Sequence, residues 1–207
     1  MKFKNCFFIF GPPACGKDTQ AKLLAKKFKI KKITTSDLLK KFFQKKKRYI
    51  LIPDLAKGAS TKKKIDLLEE KRKFIEGKLV DFHLVTYIII ETIKKEKSSL
   101  IFSGSPRSIV EAKGEYNFLK KENINSYFIF LDVPYKIALQ RALGRKRKDL
   151  PLDAPEVFRR RWQEYEKHTL PAKNFLKKKG ALIEIDGTKS VKEVYLDILK
   201  NLKENVV

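Results

Sequence analysis

An unbroken apolar run at residues 6–10 leads directly into Gly11-Pro-Pro-Ala-Cys-Gly16-Lys17-Asp18-Thr19, and beyond it Leu23, Leu24 and Phe28 recur at helical spacing. A strand, a glycine-bearing loop and a helix in that order constrain the fold more than any other feature of the chain. Glycines at 11 and 16 permit a tight turn whose backbone N–H groups converge on one centre. The helix opening there adds the positive end of its dipole, and Lys17 stands where it can bridge terminal phosphates. A chance glycine turn with a surface lysine would not put all three elements in register. Gly11, Pro12, Ala14, Gly16, Lys17, Asp18 and Thr19 are therefore the expected phosphate contacts. One irregularity stands out. Asp18 follows the lysine, where Ser or Thr usually meets Mg²⁺, and Thr19 comes one place later.

The rest of the chain repeats the strand-then-helix order. Apolar runs at residues 100–102, 127–133 and 181–185, with a shorter one at 32–34, are continuous rather than alternating, as expected of strands buried on both faces. Helical patterns cover 19–28, 80–95, 110–121, 134–143 and 190–202, the last with Ser190 as N-cap. The expected fold is α/β: a doubly wound parallel sheet of five strands with helices on both faces. At 207 residues the chain suits one domain with inserted lobes and needs no disulfide or metal staple. Two charged stretches, 42–74 and 145–155, break the alternation and read as excursions from the core.

The 48 Lys and Arg residues against 24 Asp and Glu give a formal charge of +24, which suits polyanions of any kind without naming one. The two cysteines, Cys6 and Cys15, fit a reducing cytoplasm and exclude a disulfide scaffold or a cysteine zinc site. No apolar stretch approaches the roughly 20 residues of a membrane span. The short apolar run after the first lysines mimics a weak signal peptide, but the glycine loop that follows argues against cleavage there.

Further along lie Thr35-Ser36-Asp37-Leu38-Leu39-Lys40, Gly77-Lys78-Leu79-Val80, Gly104-Ser105-Pro106-Arg107, Leu131-Asp132-Val133-Pro134, Arg141-Ala-Leu-Gly144-Arg145, Arg159-Arg160-Arg161 with Tyr165, and Asp186-Gly187-Thr188-Lys189. With GPPACGKDTQ, they match in order and spacing the motifs of a known family. From residue 3 to about residue 202 the chain resembles the nucleoside monophosphate kinases, most closely the short-lid adenylate kinases. The resemblance implies a core of residues 1–35, 75–144 and 156–207, a monophosphate-binding arm at 36–74 and a lid at 145–155. It also implies a cytoplasmic monomer that uses ATP, AMP and Mg²⁺. The expected reaction is AMP + ATP to 2 ADP. A GMP-preferring or broad-specificity kinase is one alternative. Another is a catalytically weak nucleotide-binding protein that holds RNA on its basic surface.

Phosphoryl transfer between two nucleotides joins two polyanions, and positioning plus cationic stabilisation supply most of its catalysis. By resemblance, Lys17 holds the donor phosphates and Arg107 clamps the acceptor phosphate. Arg141 lies by the donor base with Lys189, while Arg145, Arg147 and Arg161 close over the transferring group. The acceptor site comprises Thr35, Lys40, Lys78, Val80, Gly104, Arg107 and Glu111. Three departures from the family pattern matter. Lys40 replaces an arginine and loses its bidentate fork. Ser103 replaces an aspartate that organises water around Mg²⁺, which makes Asp18 the candidate metal contact. Glu111 replaces a glutamine, and an ionised carboxylate can accept hydrogen bonds but not donate them.

Overall fold

The computed structural model describes residues 4–44, 47–54, 58–144 and 154–206. Five strands, β1 (Asn5–Phe10), β2 (Lys31–Thr34), β5 (Leu100–Ser103), β6 (Asn125–Asp132) and β7 (Leu182–Asp186), form a parallel sheet in the order β2-β5-β1-β6-β7. β1 is central. Cys6, Phe8 and Phe10 face one apolar cluster, and Phe7 and Ile9 face another on the opposite side. That double burial explains why the run at 6–10 has no polar alternation. Phe8 lies in register between Phe102 and Phe128, and their rings stack at 5.1 and 4.7 Å.

Helices α4 (Phe82–Lys95), α5 (Ile109–Lys121) and α8 (Leu170–Lys178) cover the Phe8 side through Leu84, Leu119 and Leu176. Helices α1 (Lys17–Phe28), α6 (Tyr135–Leu143), α7 (Pro155–Glu164) and α9 (Val191–Val206) cover the other through Leu24, Ala138, Phe158 and Ile198. Their starts are written locally. Ser108 accepts from Glu111 N, and Asp81 accepts from His83 N and Leu84 N. Ser190 and Glu193 form a reciprocal capping box, at 3.0 and 3.3 Å.

The stretch at 42–74 holds structure that its lysines conceal. After α2 (Thr35–Phe42), strands β3 (Tyr49–Asp54) and β4 (Gly58–Asp66) form an antiparallel hairpin, and α3 (Leu67–Ile75) follows. Ile52 and Ile65 are buried in the same cluster as Leu84 and Phe8, so the hairpin shares the main core. Opposite Ile52 stands Lys63, whose Nζ lies 2.7 Å from Asp81 Oδ2. Glu70 Oε2 accepts from Asp81 N at 2.7 Å, and Lys73 donates to Glu70 Oε1 at 2.7 Å. Hairpin, α3 and the start of α4 are thereby tied by one charged network.

Of the expected lid, residues 145–153 lie outside the described residues, and with them Arg145 and Arg147; Pro155 opens α7. Between α7 and α8 the chain makes a π-helical turn, Tyr165–Thr169. Among the described residues no helix is long and apolar enough to cross a membrane.

Candidate active site

At the carboxyl ends of β1 and β5, the turn from β1 into α1 forms the expected loop. Gly11 has φ +147°, and a Cβ there would lie 2.6 Å from the Leu131 carbonyl oxygen. Gly16, with φ +93°, is the N-cap of α1 and supplies no side-chain cap, so the first N–H groups of the helix stay open towards the loop. Lys17 folds back over the loop, its Nζ 3.2 Å from the Pro12 carbonyl oxygen. Burial pulls its pKa below the usual lysine value. The neighbouring Cys15 and Asp18 oppose that, while Arg107 and Arg161 act in the same sense as burial.

From the end of β5, Ser103 Oγ donates to Asp18 Oδ1 at 2.6 Å. The two departures from the family pattern therefore touch. Partial burial pushes the Asp18 pKa up, but the Ser103 hydrogen bond and the charges of Lys17, Lys32 and Arg107 prevail and hold it below the usual carboxylate range. The carboxylate is ionised, partly solvated and next to the phosphate loop, which are the properties a hard divalent cation requires of an oxygen ligand. Among the described residues no group of three or more His, Cys, Asp or Glu side chains could hold a metal. One carboxylate with phosphate oxygens and water is the usual environment of Mg²⁺, so the residues fit that ion.

Arg107 sits beyond the next turn, its Nε donating to the Gly104 carbonyl at 2.8 Å. A Cβ on Gly104 would meet Arg107 Nη2 at 3.1 Å, and its φ of +92° disfavours any side chain. Thr169, in the π-helical turn, donates to the Arg107 carbonyl at 3.1 Å. That turn thus ties the segment between α7 and α8 to the turn that carries Arg107.

These elements surround a cavity of about 510 Å³. Lys17, Arg107 and Arg161 line it from three directions, with Gly11, Gly104 and Lys78. A smaller cavity of about 30 Å³ shares Lys78, Leu79 and Arg107 and is walled by Thr35, Val80 and Glu111. Of the loop, Pro12, Ala14, Gly16, Asp18 and Thr19 line neither cavity, and among the other described residues expected at the site three stand apart. Lys40 is exposed and lines neither cavity. Lys189 pairs with Asp197 at 2.7 Å. Arg141 donates to the carbonyls of Gly187 at 2.7 Å and Thr188 at 3.0 Å, clamping the turn after β7. Lys73, Arg160 and Thr169 also line the large cavity, and the motifs did not single them out. Arg160 lies in the Arg159-Arg160-Arg161 run, where sequence alone does not decide which members face inward.

The family model described as adenylate kinase matches residues 9–181. The chain belongs to the adenylate kinase family. It is 34% identical to the adenylate kinase of Campylobacter curvus (strain 525.92), with 98% of this chain and 100% of that protein covered. It is 32% identical to that of Buchnera aphidicola subsp. Cinara cedri (strain Cc), covering 95% and 96%. With the adenylate kinase of Azobacteroides pseudotrichonymphae genomovar. CFP2 it shares 30% identity, over 94% and 95%. Membership of the adenylate kinase family makes the chain a transferase of the nucleoside monophosphate kinase class, and the five-stranded parallel sheet flanked by helices agrees with it.

Proposed function

We propose that the chain catalyses AMP + ATP to 2 ADP, reversibly. The observation carrying this reading is the convergence of Lys17, Arg107 and Arg161 on one cavity, which shares Lys78, Leu79 and Arg107 with the smaller pocket of Thr35, Val80 and Glu111. In this reading the open amides of α1 and Lys17 hold the donor β- and γ-phosphates. Arg107 turns an oxygen of the acceptor phosphate towards the γ-phosphorus. The new P–O bond forms as the bond to the β-phosphate oxygen breaks, and Lys17 and Arg161 balance the charge on the equatorial oxygens. Mg²⁺, when bound, neutralises phosphate charge, and Asp18 is the side chain that would hold it. Arg141 acts as a positioning residue for the turn bordering the donor base. The reading keeps 36–74 as the monophosphate arm, 145–155 with Arg145 and Arg147 as the lid, and a monomeric cytoplasmic enzyme. Purified protein with ATP, Mg²⁺ and each nucleoside monophosphate in turn, followed by product chromatography, tests it. ADP formed from AMP supports the reading; no phosphorylation of any monophosphate overturns it.

One observation favours polyanion binding as a second property. On the outer face of the hairpin, the half-exposed Tyr49 ring lies under Arg48 Cζ at 5.1 Å and Lys64 Nζ at 4.2 Å, with Leu51 exposed beside it. An aromatic face among cations suits stacked bases of single-stranded RNA. Salt-sensitive RNA binding that weakens in Tyr49→Ala would support this reading; binding unchanged in that variant would remove it.

A further inference from the structure

Three side chains behind the smaller cavity form a closed polar group inside the protein. Glu111 and Glu115, one turn apart on α5, are 1% and 0% exposed, and Ser105 is 0% exposed. Ser105 Oγ lies 2.9 Å from Glu111 Oε2 and 2.5 Å from Glu115 Oε1. Glu111 Oε2 also accepts from Arg107 N at 2.9 Å. Glu115 Oε2 is buried and has no partner. A hydroxyl owns one proton and can donate to one carboxylate only. The second carboxyl must therefore donate to the hydroxyl, which requires that one of the two glutamates carry a proton.

The surroundings decide which. Glu111 receives the Arg107 amide and the field of its guanidinium, whereas among the described residues no cation acts on Glu115 and its Oε2 has no hydrogen-bond partner. The direction is then Glu115 O–H to Ser105 Oγ, and Ser105 O–H to Glu111 Oε2. Both known partners of Glu111 fall on Oε2, which leaves Oε1 for a ligand. Resting on the reading of the smaller cavity as the acceptor-base pocket, we propose that Glu115 and Ser105 position Glu111 so that Oε1 reads N1 of the acceptor base, and that protonation of Oε1 selects between adenine and guanine. The ring nitrogen N1 is a lone pair in adenine and an N–H in guanine. A protonated Oε1 donates to the first, and an ionised Oε1 accepts from the second.

Among the described residues, few charged and titratable groups face the pair. Arg107 comes from the loop after β5, while Lys78, from the segment before α4, lines the same cavity but turns its Nζ to Glu76 at 2.6 Å. The Cys6 thiol of β1 feels Glu115, and burial holds it neutral, with its pKa pushed up to about 12. Burial dominates at both glutamates. It raises Glu111 to about 7 against the opposing Arg107 and Ser105 contacts, and it raises Glu115 well above the usual carboxylate value with the Glu111 charge in support. The hydrogen-bond arrangement, with two donors already on Glu111 Oε2, puts the shared proton on Glu115.

The test measures kcat/KM for AMP and GMP from about pH 6 to about pH 8.5, a range that brackets that titration. In the wild type the AMP-to-GMP ratio should fall by about tenfold as pH rises, the effect of one unpaired buried acceptor. Glu111→Gln should hold the ratio high and flat, because its amide keeps a donor at every pH. Ser105→Ala should move the midpoint of the wild-type fall upward, since the ionised carboxylate loses a donor. Glu115→Gln, which mimics a protonated carboxyl, should leave the profile in place. A flat wild-type ratio, or an unmoved midpoint in Ser105→Ala, overturns the proposal. The second readout needs no turnover. Carboxyl ¹³C resonances of labelled glutamate, assigned with the two glutamine variants, should show Glu115 protonated at neutral pH, and two ionised carboxylates there would overturn it. If neither monophosphate is phosphorylated at any pH, the kinase reading fails by itself, while these resonances still decide where the proton sits.

Discussion

The Ser103 hydroxyl donates to Asp18 Oδ1 at 2.6 Å, so a carboxylate beside the loop is carried by helix α1 and steadied by strand β5. If Asp18 supplies what an aspartate at the end of β5 would supply, Asp18→Gly should raise the Mg²⁺ concentration for half-maximal turnover by about tenfold or more. Adding Ser103→Asp to that variant should restore it. A magnesium titration of both proteins checks this, and an unchanged requirement in Asp18→Gly would sink the idea. Lys17→Met removes the side-chain cation that folds back over the loop. Turnover should fall by about two orders of magnitude with native circular dichroism, on the scale of losing one preorganised donor. Near-normal activity would contradict the role given to the loop.

At the scale of elements, the sheet was legible because its strands are buried on both faces, so residues such as Phe7 and Phe8 form continuous apolar runs. The hairpin was not. Its inward face includes Lys63, half-buried against Asp81, and that lysine breaks the alternation that would have marked β4. The loop with Lys17 and the arginine after β5 could be read from local pattern, because neighbours along the chain build them. The link from Glu115 to Ser105 could not, since nothing in a sequence shows which helical carboxyl turns inward beneath a distant turn. Ile52 gives the hairpin a test. It is fully buried, and Ile52→Ala should destabilise the protein by about 2–5 kcal/mol in equilibrium denaturation. A loss below about 0.5 kcal/mol, the range of ordinary surface changes, would mean that the hairpin is not part of the core. Helix α5 offers a test with a sign. Glu111 and Glu115 bind protons more tightly folded than at their ordinary value of 4.5, so the stability they contribute is complete below that pH. It declines as pH rises from 4.5 towards about 7 for Glu111, and for Glu115 as pH rises from 4.5 towards its own raised folded value. Glu115→Gln should therefore melt higher than the wild type by a margin that grows with pH; a margin constant from acid to alkaline buffer would refute the linkage.

For the whole molecule, a formal charge of +24 means self-repulsion that salt relieves. The melting temperature should rise as ionic strength goes from about 0.01 to about 0.15 M, where the screening length shrinks from about 30 to about 8 Å. A melting temperature that falls with added salt would show that attractive ion pairs, such as Lys63 with Asp81 and Lys173 with Glu184, outweigh that repulsion. The apolar cluster reaching from Phe8 in the central strand through Leu84 to Ile52 in the hairpin has one more consequence. A lobe joined to its neighbour by continuous packing has no private melting point. Heat absorbed in loosening the hairpin is drawn from the same endotherm as the sheet, and a calorimeter should record one peak rather than a shoulder and a peak.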